Sequence, residues 1–173
     1  EALAAGADEV VIVTSPEKPA IRGYFAPSDR LRARFAGREP VAEALRRLDA
    51  LSARVRFVDQ LEQRGLGHAI LQAAPLLRGE SEPVLILLGD ALVRATEPCS
   101  RTLADLSRAL GGASVVGLER VPRERVSRYG IAAAEPAGRE RLYRISGLVE
   151  KPSPDEAPSD LAVAGRYLLS HRI

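Results

Sequence analysis

Short apolar runs rich in valine, isoleucine and leucine alternate along this chain with segments of helical period. That alternation restricts the chain to the α/β class, because a run of four or five such residues is too short for a buried helix and suits a strand. The runs Val10 to Val13, Val55 to Val58, Val84 to Leu88 and Val115 to Leu118 read as strands. Between them, Val41 to Leu51 places Val41, Leu45, Leu48 and Leu51 on one helical stripe, with Arg46, Arg47 and Asp49 outward. Gly65 to Leu77 reads as a second helix, opened by glycines. Pro98 is suited to the first turn of a third, which runs toward Leu110 and stops at Gly111 and Gly112. The small-residue segment ending at Gly6 reads as the close of another. Beyond Pro122 the rhythm changes: Tyr129 to Ala134, Leu142 to Val149 and Leu161 to Leu169 are strands separated by turns, an antiparallel addition. The expected architecture is a mixed, mostly parallel central sheet flanked by helices, with Val84 to Leu88 central because neither of its faces suits water.

Length and charge narrow the partners. At 173 residues, 46% of them hydrophobic, the chain supports one domain spanning 1–173. Its formal charge is +2, and the cations are scattered arginines, with Lys18 and Lys151 the only lysines. A nucleic-acid-binding stripe is therefore not expected. No apolar stretch approaches the roughly 20 residues of a membrane span. Cys99 has no second cysteine to pair with, which suits a reducing cytoplasm and a packed thiol.

Three constellations carry chemistry. Asp90 follows Leu85-Ile86-Leu87-Leu88-Gly89, where a buried strand emerges, and open α/β sheets bind ligands outside the carboxyl ends of their strands. Its hard oxygen suits Mg²⁺, with waters and substrate phosphates completing the octahedron; the alternative is a turn cap. Gln60 precedes Gly65-Leu66-Gly67-His68-Ala69, a glycine-rich helix start where backbone groups can approach a flat ligand while a glutamine pairs a base edge. The alternative there is that the glycines serve only the turn, with His68 packed or capping. Glu150 and Lys151 end the third constellation, Val149-Glu150-Lys151-Pro152. Strand neighbours point to opposite faces, so the two are expected not to pair with each other. The carboxylate suits sugar hydroxyls and the ammonium suits phosphate; a solvated surface pair is the alternative.

Taken together in order and spacing, Gln60, Gly65-Leu66-Gly67-His68-Ala69, Leu88-Gly89-Asp90, Ser127-Arg128-Tyr129-Gly130-Ile131, Val149-Glu150-Lys151-Pro152 and the segment Ala157 to Tyr167 resemble the bacterial UTP–glucose-1-phosphate uridylyltransferases. The resemblance implies a Rossmann-like nucleotidyltransferase fold. It implies that Gln60 and the backbone at Gly65 read uracil, that Asp90 binds Mg²⁺, that Gly130 contacts glucose through its backbone, that Glu150 holds sugar hydroxyls and that Lys151 steadies the phosphate of glucose 1-phosphate. UTP and glucose 1-phosphate are then the partners, and the full-length protein is expected to be a homo-oligomer.

Two departures accompany the resemblance. Where the family often has a second aspartate, this chain has Ala91. The family's N-terminal strand and glycine-rich loop would lie before Glu1, and its C-terminal part is also missing, so the chain is expected to be truncated at both ends, inactive alone and poorly soluble. A thymidylyltransferase acting on the same sugar phosphate, or a non-catalytic nucleotide-sugar binding domain, is the rival reading. A dinucleotide-dependent oxidoreductase is disfavoured, since no Gly-x-Gly-x-x-Gly follows a strand with an acidic residue about 20 positions on.

Overall fold

The computed structural model describes residues 1–26, 28–77 and 81–171. The chain divides into two compact units, one formed by Ala7–Glu80 and the other by Glu1–Gly6 with Ser81–Ile173.

In the Ala7–Glu80 unit, β1 (Val10–Thr14) and β2 (Val55–Asp59) pair in parallel, Val10 opposite Val55 and Thr14 opposite Asp59. Parallel strands need a long crossover. It is made here by three helices: α1 (Pro19–Phe25), α2 (Asp29–Arg34) and α3 (Val41–Ser52). Only α3 is anticipated by periodicity. The helix α1 starts on Pro19, whose missing N–H costs nothing in a first turn, and Ser28 caps α2 by accepting from Leu31 N–H at 3.3 Å. On α1, Phe25 meets Phe57 of β2 edge-on at 5.9 Å, and Arg22 lies over the same ring while bonding Asp59 at 2.7 Å. In α3, Leu45 and Leu48 are half-buried, but Val41 and Leu51 are exposed. Asp49, expected outward, is half-buried because Arg32 of α2 bonds both its oxygens, at 2.6 and 3.1 Å. The glycine-led helix is shorter than its pattern. It runs as α4 (Leu66–Ala73) and tightens into a 3-10 turn over Ala74–Leu76, where Pro75 can no longer donate to the α-helical ladder.

The other unit is built on β3 (Val84–Leu87), α5 (Cys99–Ala109), β4 (Val115–Arg120), β5 (Gly130–Pro136), β6 (Tyr143–Glu150) and β7 (Leu161–Leu169). All five strands join one sheet, and every pairing described in it is antiparallel. The mostly parallel expectation is therefore corrected: among the described residues only β1 and β2 pair in parallel. The reason lies in β7. It runs antiparallel to both β3 and β4, with Leu168 opposite Leu85 on one and Val115 on the other. So β3 and β4 do share a direction, joined through α5, but β7 lies between them. Apolarity on two faces reports burial and says nothing of a neighbour's direction. Nor is β3 central: among the described residues it pairs with β7 alone.

Two apolar clusters hold this unit. Leu103 of α5 packs with Val115 and Leu168, joined by Leu85, Cys99 and Leu106. Val126, Ile131, Ala157 and Ala162 form the second, and Val126, Ile131 and Ala162 have no solvent exposure. Pro98 stands at the cap of α5 rather than inside it. The helix ends as its glycines require: Gly111 and Gly112 have φ of 69° and 84°, and Gly112 N–H reaches back to Ser107 O at 2.8 Å. Cys99 is a half-buried thiol whose pKa is raised by burial, in keeping with a packing role.

Candidate active site

The end of the β1–β2 ladder creates the first candidate region. Gln60 N–H donates to Thr14 O at 2.8 Å, carrying the parallel pairing one residue past β2 and fixing Gln60 at the strands' carboxyl end. Gly65 then turns the chain into α4 with φ 88°, a conformation that disfavours a side chain. The Gln60 side chain bridges the turn, its Nε2 donating to Gly65 O at 3.3 Å and lying 3.0 Å from His68 Nδ1. On the far side of the ring, Gln72 Nε2 lies 3.1 Å from His68 Nε2. A neutral imidazole accepts through one nitrogen only, so its tautomer decides which amide it receives. The structure thus brings Gln60 and Gly65 together, with His68 as a packed partner of the glutamine.

A cavity of about 340 Å³ opens at this strand end, lined by Thr14, Ser15, Lys18, Gln60 and Gly65 among others. Thr14 Oγ1 and Ser15 Oγ are buried there without a hydrogen-bond partner among the described residues. Neither hydroxyl, nor Lys18, is singled out by motif reasoning. The available signal is a polar Thr-Ser pair directly after an apolar strand, with one of the chain's two lysines three residues on.

In the other unit, Asp90 is exposed in the turn that follows β3, closed by Ala91 N–H donating to Leu88 O at 3.2 Å. Among the described residues no group of three or more His, Cys, Asp and Glu converges to hold a metal. A lone exposed carboxylate does not fit zinc, which takes several protein ligands. It does fit magnesium, which keeps waters and binds through one or two carboxylates plus substrate phosphates.

Around Asp90's turn lies a group to which the sequence assigns no role of its own. Arg166 of β7 is buried, at 4% exposure. Its guanidinium donates to Ala91 O at 2.8 Å, Leu88 O at 3.4 Å and Gly165 O at 3.1 Å, and pairs with both carboxylate oxygens of Glu1. Glu1 also accepts from Ser100 Oγ at 2.7 Å. The hydrogen bond from Arg166 holds the Glu1 carboxyl below its ordinary pKa, against the opposing effect of burial.

Gly130 and Glu150 form the third region, paired across β5 and β6. Lys151 follows with φ 46°, its N–H donating to Tyr129 O at 3.0 Å. That left-handed residue ends the strand's alternation. The expectation that Glu150 and Lys151 do not meet is therefore corrected: Lys151 Nζ stands 3.6 Å from Glu150 Oε1 in an exposed pair. Nearby, burial raises the Tyr167 pKa, and the Glu150 charge adds to the effect. No hydrogen bond or ion pair among the described residues links Asp90 to Gly130, Glu150 or Lys151.

A family model described as "Nucleotidyl transferase" matches residues 1–173. The UTP--glucose-1-phosphate uridylyltransferase 2 of Streptococcus pyogenes serotype M3 (strain ATCC BAA-595 / MGAS315) is 37% identical over 178 residues, covering 100% of this chain and 58% of that protein. UTP--glucose-1-phosphate uridylyltransferase YngB of Bacillus subtilis (strain 168) is 36% identical, covering 100% and 57%. Among solved structures, an apo UDP-glucose pyrophosphorylase superposes with a TM-score of 0.84 at 33% identity, over 98% of this chain and 62% of that one. A UTP-bound UGPase from Acinetobacter baumannii gives 0.83 at 28% identity, over 99% and 61%. The chain thus spans less than two thirds of the length of the relatives it matches. Matched by the family from its first residue to its last, and sharing the fold of solved UDP-glucose pyrophosphorylases, this chain belongs to the nucleotidyl transferase family.

Proposed function

We propose that the protein transfers a uridylyl group from UTP to glucose 1-phosphate, giving UDP-glucose and pyrophosphate. The observation that carries this reading is the polar cavity at the carboxyl ends of β1 and β2, where the Gln60 amide and the Gly65 turn stand, in a chain similar throughout its length to proteins named uridylyltransferases. An amide offers one donor and one acceptor to the edge of a pyrimidine, and a glycine at positive φ leaves its backbone open to the ring. Gln60 and Gly65 are therefore assigned to uracil.

Glu150 is assigned to sugar hydroxyls, which its carboxylate oxygens can accept from, and Lys151 to the phosphate of glucose 1-phosphate. Gly130 lets the sugar approach the β5 backbone. Asp90 would hold Mg²⁺, and that ion, when bound, would supply neutralisation of phosphate charge. In the reaction, an oxygen of glucose 1-phosphate forms a bond to the α-phosphorus of UTP in line, while the bond to the β-phosphate oxygen breaks and its electron pair leaves on pyrophosphate. The protein's part is to position and desolvate these groups. A cytoplasmic location is part of the same proposal, supported by the single unpaired Cys99. No helix among the described residues is long and apolar enough to cross a membrane.

Pyrophosphate release from the full-length protein with UTP, glucose 1-phosphate and Mg²⁺ tests the proposal, with Asp90→Ala as the matched control. Release with UTP that collapses in the variant is the expected result. A preference for dTTP moves the assignment to a thymidylyltransferase, and no release with any nucleotide triphosphate sinks it.

A further inference from the structure

We propose that Arg166 is a positioning residue for Asp90, holding the turn that presents the carboxylate; this rests on the reading of Asp90 as the metal ligand. The turn has few supports of its own. Asp90 and Gly89 are exposed, and position 91 is an alanine with no polar side chain to brace its neighbour. The bracing comes from β7 instead. Arg166 Nη2 donates to Ala91 O at 2.8 Å and Nη1 reaches Leu88 O at 3.4 Å, so one rigid guanidinium grips the backbone on both sides of Gly89-Asp90.

Two further contacts make this grip specific. Leu88 N–H donates to Gly165 O at 3.0 Å, tying the first residue of the turn to the backbone beside Arg166. Gly165 has φ 67°, and a Cβ there would stand 2.8 Å from Ala91 Cβ and 3.2 Å from Leu88 Cβ. The turn therefore lies directly on Gly165. Glu1 keeps the guanidinium in place from its other edge, by Nε at 3.1 Å and Nη2 at 2.9 Å. A charge this buried, satisfied by one carboxylate and three carbonyls, has few other arrangements open to it.

Lysine at 166 keeps the charge but offers one compact ammonium in place of the three guanidinium nitrogens that reach Leu88 O, Ala91 O and Glu1. The test is a Mn²⁺ titration of the full-length protein, followed by electron paramagnetic resonance with α,β-methylene-UTP present, on wild type, Arg166→Lys, Gly165→Ala and Asp90→Ala. UTP affinity in EDTA is measured alongside. Loosening a metal ligand's support lowers metal affinity by about ten-fold or more. The expected result is that fall in Arg166→Lys and Gly165→Ala, with metal-free UTP affinity unchanged. Wild-type Mn²⁺ affinity in a folded Arg166→Lys, with Asp90→Ala impaired, overturns the positioning role alone. If Arg166→Lys does not fold, Gly165→Ala decides by the same criterion. Wild-type affinity in Asp90→Ala overturns the metal reading, and this proposal with it.

Discussion

Gly130 faces Glu150 across β5 and β6, and a Cβ added to the glycine would stand 3.2 Å from Glu150 Oε2. The glycine leaves room for the carboxylate. Its other near neighbour, Val163 Cγ2 at 3.9 Å, is in ordinary contact, and the Glu150 side chain is flexible and 74% exposed. Gly130→Ala is therefore expected to change stability by no more than about 0.5 kcal/mol, because the crowded atom can swing aside. Sugar-phosphate binding is expected to weaken several-fold as the carboxylate moves. Denaturant unfolding and the KM for glucose 1-phosphate, measured on the same preparation, separate the two effects.

At Lys151 the backbone and the ammonium can be separated in the same manner. The pair with Glu150 is exposed on both sides and contributes little to stability. The φ of 46° costs an L-residue about 1 kcal/mol that glycine does not incur. Lys151→Gly is thus expected to be more stable than Lys151→Ala by about 1 kcal/mol. Both variants lose the ammonium, so under the proposed function both raise the KM for glucose 1-phosphate equally. Unequal KM values would assign the loss to the turn rather than to the charge.

His68 supports Gln60 without reaching the cavity lining by itself. Removing the ring leaves the Gln60 amide with the Gly65 backbone carbonyl as its partner among the described residues. His68→Ala is expected to cost about 1 kcal/mol of stability and to weaken UTP binding several-fold. Gln60→Leu is expected to weaken it further, since the base then loses its polar partner. Calorimetric titration with UTP ranks the two; equal affinity in wild type and Gln60→Leu would remove the glutamine from the site.

Glu1 gives the fold a pH dependence of known sign. Its carboxyl pKa is lowered in the folded state, first by the Arg166 hydrogen bond. The unfolded chain then binds the proton more readily, so this contribution is complete above the ordinary carboxyl pKa and is lost as pH falls through the lowered value. Glu1→Gln is expected to abolish that slope. It also leaves Arg166 buried without a counter-charge, at a cost of about 3 kcal/mol. Urea midpoints of wild type and variant across the acidic range measure both; parallel curves would mean that the ion pair does not control acid stability.

Strands were legible where apolar runs are short and bounded by turn residues. Leu161–Leu169 lies where its pattern places it, and β1 to β6 agree within two residues at each end. Helix α3 was legible from its stripe, while α1 and α2 were not, being six or seven residues long with no repeat of period 3.6. Gln60 and Gly65 were singled out as polar and turn residues five positions apart, but the hydrogen bond between them was not read from the sequence. Arg166 was hidden for the opposite reason. Its counter-ion lies 165 positions away and its other acceptors are carbonyls, which every residue possesses.

The placement of β7 also orders events in time. Strands β3 and β4 lie early in their unit, yet the partner that both require is Leu161–Leu169, the last strand among the described residues. A ribosome that has released β3, α5 and β4 has produced two strands whose shared partner is still to come. This sheet can close only after more than 40 further residues have followed Arg120 into solution. Until then the apolar side chains of Leu85, Leu103 and Val115 lack Leu168, so the surface they share stays uncovered while the intervening residues emerge.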